Sequence, residues 1–143
     1  MFVLSWLASS LITPDLEFRR LYRVLEKQGF EVRLELPPKQ GAYGLFEHNS
    51  QTIWINPVVF ELGIAQPTLV HEAVHAAQSC AGKTGLTTLN LDLSPPQITK
   101  PFFFRYHNYR RELEAEAYTI QVQSNRTELA IELLERYCSD KGS

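Results

Sequence analysis

The stretch Pro67-Thr68-Leu69-Val70-His71-Glu72-Ala73-Val74-His75-Ala76-Ala77-Gln78-Ser79-Cys80-Ala81-Gly82 decides how this chain is read. Proline suits the first turn of a helix, where its missing N–H costs nothing, and glycine suits the position that stops one. Pro67 and Gly82 therefore bracket a helix over residues 67–81. A solvated helix carries more charge than this one. Leu69, Val70, Ala73, Val74, Ala76 and Ala77 instead predict a helix buried against apolar neighbours, with His71, Glu72 and His75 among them.

Residues four apart on a helix share a face, so the imidazoles of His71 and His75 can converge on one metal ion. Glu72 lies about 100° around the helix, beside such an ion instead of at it. His-Glu-x-x-His is the spacing of a zinc site in which the glutamate is the general base for a metal-activated water. One Zn2+ per chain is expected, with Glu72 catalytic and His71 and His75 as ligands. Cys80 is five residues beyond His75, off the ligand face, and is not counted among them.

Working outward, Lys83–Lys100 reads as a long loop containing Gly85, Pro95 and Pro96, and long loops in compact domains are often functional, here as a lid. Pro101 opens a helix running to about Gln123, and Asn125 with Glu128 resembles a capping box before a last helix, Arg126 to Cys138. On the other side, Thr13-Pro14 starts a helix that Gly29 stops. Phe30 to Leu36 alternates strictly between apolar and polar, the signature of a half-buried strand. Ala42–Glu47 and Thr52–Asn56 are two more strands joined by the polar turn His48–Gln51. A short helix from Pro57 to Leu62, capped by Asn56 and closed by Gly63, follows. The pattern is α+β in a single domain, residues 1–143.

A third ligand must come from elsewhere, because the residues after His75 hold no further histidine. The run Arg110-Arg111-Glu112-Leu113-Glu114-Ala115-Glu116-Ala117-Tyr118 carries three carboxylates at spacing two. Glu112 and Glu116 share a helix face and Glu114 points elsewhere, so they cannot all face inward.

An HExxH helix followed by Glu112-x-x-Ala115-Glu116 resembles the gluzincin-type zinc metallopeptidases, including minimal single-domain and ImmA–IrrE-like members. The resemblance covers about residues 42–123 and implies a small zincin-like domain, a short three-stranded sheet packed on the HExxH helix and a following glutamate helix. It implies Glu112 as the third ligand, Ala115 as the small residue between helices, and Glu116 as the group that orients an imidazole. A second register puts Glu114 on the metal and Ala117 at the small position. The resemblance also implies an open strand before the metal helix that pairs with an extended protein or peptide substrate, and Ile53, Trp54 and Ile55 stand in that place. Tyr109 and His107, in the turns before Glu112, are the candidates for stabilising a transition state.

Two other readings compete. Peptide deformylase also uses HExxH, but with an upstream cysteine ligand, and no cysteine precedes His71. A non-catalytic zinc-binding or regulatory module would close the fourth metal position, with His107 as the residue to do it. Composition narrows the field further. At 44% hydrophobic and 21% charged, with a net charge of -2, the chain has no basic stripe for nucleic acid. Its apolar start, MFVLSWLASSLI, lacks a basic n-region and is too short for stable membrane insertion. Cys80 and Cys138 allow one disulfide but imply no framework, and they are read as thiols in a reducing compartment, with a cytoplasmic location expected.

Overall fold

The computed structural model describes residues 14–91 and 108–139. Among them it holds five helices and one three-stranded sheet, an α+β arrangement. Helix α1, Leu16–Lys27, is capped by Asp15, whose carboxylate accepts from the Phe18 N–H at 2.8 Å. The expected cap, Thr13, lies outside the described residues. Phe18, Leu21 and Leu25 recur on one face of α1 and are buried, and Gly29 ends the turn at φ 96°. Each such side chain contributes roughly 1.5–3 kcal/mol on burial.

Strand β1 is Glu31–Arg33, shorter than the alternation of Phe30 to Leu36 suggests. The alternation itself holds, since Phe30, Val32 and Leu34 are all buried. The ladder ends with Arg33 opposite Trp54, and Leu36 is 74% exposed. Strands β2, Gly44–Glu47, and β3, Thr52–Ile55, form the expected hairpin through the turn at 48–51, with Gln51 at φ 54°.

The sheet order is β1-β3-β2. Strand β3 pairs in parallel with β1, Val32 opposite Ile53, and antiparallel with β2, Phe46 opposite Ile53. Ile53, Trp54 and Ile55 therefore belong to the central strand, and their assignment as a substrate-pairing edge is corrected. Each needs a partner on both sides to be satisfied, and the flanking strands supply it. Of the two outer strands, β2 is the one that shares a cleft with His71 and His75.

Helix α2, Val58–Glu61, starts where the Asn56 side chain accepts from the Val58 N–H at 3.0 Å, and Gly63 closes it at φ 72°. Helix α3, Ala65–Ala81, is the spine. It packs against α1, β2, β3, α4 (Asn108–Gln121) and α5 (Arg126–Cys138). That all-round burial is why it has so few charges, and Leu69, Val70, Ala73, Val74, Ala76 and Ala77 are fully buried. The part of the long helix predicted from Pro101 lies outside the described residues up to Asn108. Helix α5 has the predicted limits, but Asn125 makes no side-chain capping bond, and Glu128 pairs with Arg20 of α1 instead.

Cys80 and Cys138 form a disulfide, which corrects their reading as thiols. They stand 5.2 Å apart between Cα atoms at the last turns of α3 and α5, although 58 residues separate them. Closing a loop that long removes freedom from the unfolded chain. We predict that Cys138→Ser lowers unfolding free energy by about 2–4 kcal/mol, measured by denaturant titration without reductant. An unchanged midpoint would show that the link does not stabilise the fold.

Candidate metal centre

Three side chains from two helices meet in the wall of a cleft. His71 and His75 come from successive turns of α3, their rings 4.9 Å apart edge to face. Glu114 comes from α4. His71 Nε2 is 3.0 Å from Glu114 Oε1, and His75 Nε2 is 3.2 Å from Glu114 Oε2. One donor atom from each of the three lies within 4.8 Å of the others. Two imidazole nitrogens and a carboxylate make a donor set suited to a divalent transition metal.

The third member is Glu114, not Glu112. Glu114 is 4% exposed, whereas Glu112 faces solvent. The reason is the apolar stripe of α4. Leu113, Ala117 and Ile120 are buried and fix which way the helix faces. At about 100° per residue, Glu114 lies on one flank of that stripe and Glu112 on the other. The register with Ala117 as the small position is the one adopted, and Ala117 is fully buried.

Glu116 reaches an imidazole through an intermediary. Its carboxylate accepts from Gln78 Nε2 at 2.9 Å and from the Leu89 N–H at 2.9 and 2.8 Å. Gln78 Nε2 also donates to the Leu113 carbonyl at 3.0 Å. Both of those partners can only accept, so the amide's NH2 must face them. Gln78 Oε1 is then turned to His75 Nδ1 at 2.7 Å and must accept its proton. That leaves His75 Nε2 aimed at Glu114, the nitrogen a metal ion would use. His71 repeats the arrangement, its Nδ1 2.6 Å from Gln121 Oε1. Such partners fix ring orientation and tautomer.

Charge is concentrated here. Burial pushes the Glu114 carboxyl up, but the hydrogen bonds from His71 and His75 outweigh it and hold the group well below the usual carboxylate range. Burial pushes His71 down, and its bond to Glu114 with the charges of Glu72 and Glu114 raises it overall. Arg110 Nη2 adds a cation 3.4 Å from Glu114 Oε2. Glu72 is 7% exposed and stands beside the triad without joining it. Burial raises its pKa against the opposing charges of His71 and His75.

The cleft has a volume of about 570 Å³ and is lined on one side by Tyr43, Gly44, Leu45 and Phe46 around β2, and on the other by Tyr118 and Gln121 of α4. Tyr118 packs edge to face on His71, ring centroids 4.7 Å apart. His107 lies outside the described residues, as does the Tyr109 side chain and the outer part of the expected lid; Leu86, from the loop's start, lines the cleft. His48, in the polar turn, is half-buried. Its Nδ1 is 2.7 Å from Ser79 Oγ, which ties the β2–β3 turn to α3. Gln78, Gln121 and Tyr118 were not singled out from sequence. Their signal was spacing, three residues after His75 and seven and four after Glu114.

We predict that Gln78→Leu weakens metal affinity about 10–100-fold in competition with a chromophoric chelator, and that Glu112→Gln leaves it unchanged. Equal affinity for Gln78→Leu and the unaltered protein would remove the amide from the site.

A family model described as Domain of unknown function (DUF8637) matches residues 47–139, a stretch that contains the triad, Glu72, Gln78, Glu116 and Gln121. No curated protein and no solved structure matches the chain.

Proposed function

The chain belongs to the family of the domain of unknown function DUF8637, and from the chemistry of its site we propose that it is a zinc-dependent metallopeptidase of zincin-like build. The observation that carries this reading is the meeting of His71 Nε2, His75 Nε2 and a Glu114 oxygen within 4.8 Å, beside a buried Glu72 in an open cleft. The donors fit a zinc ion. Two imidazole nitrogens and one carboxylate are presented together, and the Gln78 amide bond to Nδ1 leaves His75 Nε2 as the atom turned to the shared position. When bound, zinc supplies a Lewis acid for a carbonyl oxygen and lowers the pKa of water to about 7.

The remaining work falls to the protein. Glu72 takes a proton from the attacking water and returns it to the leaving amine. Arg110 and Tyr118 line the same cleft and are the candidates for donating to the carbonyl oxygen.

The substrate strand would run along β2. The Tyr43 carbonyl accepts from the Asn56 N–H at 2.8 Å, and on the far side of β3 the Glu31 N–H donates to the Gln51 carbonyl at 3.0 Å. In an antiparallel ladder alternate residues bond to the partner strand. Tyr43, Leu45 and Glu47 therefore face β3, and the main-chain groups of Gly44 and Phe46 point to the outer edge, on which no strand pairs among the described residues. Those groups can hold an extended peptide without reading its sequence.

No described helix is long and apolar enough to cross a membrane. The disulfide favours an oxidising compartment over the cytoplasmic location expected from free thiols.

Elemental analysis of purified protein tests the metal. About one zinc per chain is expected for the unaltered protein and for Glu112→Ala, with large losses in His75→Ala and Glu114→Ala. Absence of zinc even after reconstitution would sink the proposal. Glu72→Gln should keep the metal and cut kcat on a peptide library by about 10²-fold or more. Bound zinc with no peptide cleavage by the unaltered protein would favour a binding module.

A further inference from the structure

Gly44 has no backbone reason to be glycine, because its φ is not positive, unlike those of Gly29, Gly41 and Gly63. Glycine in a strand, here the first residue of β2, forfeits conformational entropy and packing. Its reason lies in what surrounds it. A Cβ on Gly44 would sit 2.9 Å from Glu72 Oε2, 3.0 Å from Glu72 Cγ and 3.0 Å from Thr68 Cγ2. Thr68 cannot rotate away cheaply, since its hydroxyl donates to the Ile64 carbonyl at 2.7 Å. The yielding partner is the far end of Glu72.

We infer that Gly44 is a positioning residue for Glu72: the side chain it lacks is the space in which the Glu72 carboxylate sits. This rests on the peptidase reading for its functional meaning, but the contact itself does not. The same residue turns its main chain to the outer edge of β2, which no described strand covers. The two faces of one glycine thus set the distance between the base and a peptide paired along that edge. Any larger residue would push the carboxylate towards the triad or force the strand off α3.

A double-mutant cycle on metal-free protein reads the contact without activity. Thermal unfolding is compared for the unaltered protein, Gly44→Ala, Glu72→Ala and the double variant. Gly44→Ala should lower Tm when Glu72 is present. It should leave Tm unchanged or raise it when residue 72 is alanine, because the added methyl then fills vacated space. Strictly additive shifts would overturn the inference.

Kinetics reads the role. Gly44→Ala should lose roughly 10²-fold in kcat while KM and zinc affinity hold, and should add no further loss to Glu72→Gln. A normal kcat would overturn positioning. If the unaltered protein cleaves peptides and the Tm shifts add, only the role of Gly44 fails. If the shifts couple but the unaltered protein binds zinc and cleaves nothing, the peptidase reading fails and the positioning role falls with it.

Discussion

A carboxylate buried between two imidazoles is the constraint on which this structure turns. An isolated ionised carboxyl inside a protein is expensive, and it persists only where charge or hydrogen bonds compensate it. Glu114 has His71 on one oxygen and His75 on the other, with Arg110 beside the second. Because the imidazoles belong to α3 and the carboxylate to α4, this pairing fixes the relative rotation of the two helices. Outer hydrogen bonds then lock the inner ones. Glu116, Gln78 and the Leu113 carbonyl hold His75, and Gln121 holds His71.

The core explains why such a polar group can be held still. Helix α3 is mostly apolar and is packed by the sheet, α1, α4 and α5, so its backbone is held firmly beneath the polar side chains it presents to the cleft. The β2–β3 turn is pinned to the same helix by His48 and Gln51 on Ser79. The loop after α3 is pinned to α4 by the Leu89 N–H on Glu116. Strand, helix and loop therefore approach the cleft from three directions with little freedom between them.

Much of this was legible in the residues. The apolar run around His71, Glu72 and His75 announced a buried helix, and Gly29, Gly63 and Gly82 marked element ends. What failed was long-range. The choice between Glu112 and Glu114 needed the direction in which α4 faces, which Leu113, Ala117 and Ile120 encode but a short motif match does not weigh. The edge assignment failed because a hydrophobic strand reads alike at the centre or rim of a sheet, and only the parallel return of β1 puts Thr52–Ile55 in the middle. The disulfide joins residues 58 positions apart, and nothing local to either cysteine records that. The amide partners were hidden by chemistry: glutamine on a helix is usually a surface residue, and Gln78 is fully buried.

The bridge from Cys80 to Cys138 divides the triad in a particular way. His71 and His75 lie before the ring it closes, and Glu114 lies within it. A chain cut once anywhere between residues 81 and 113 would separate these groups in sequence yet leave both fragments covalently joined. The two-chain product would have no loop left to stretch or tear, only a shared covalent hinge at the ends of α3 and α5. Damage of that kind, ruinous to most single-chain sites, would here leave all three donors on one molecule.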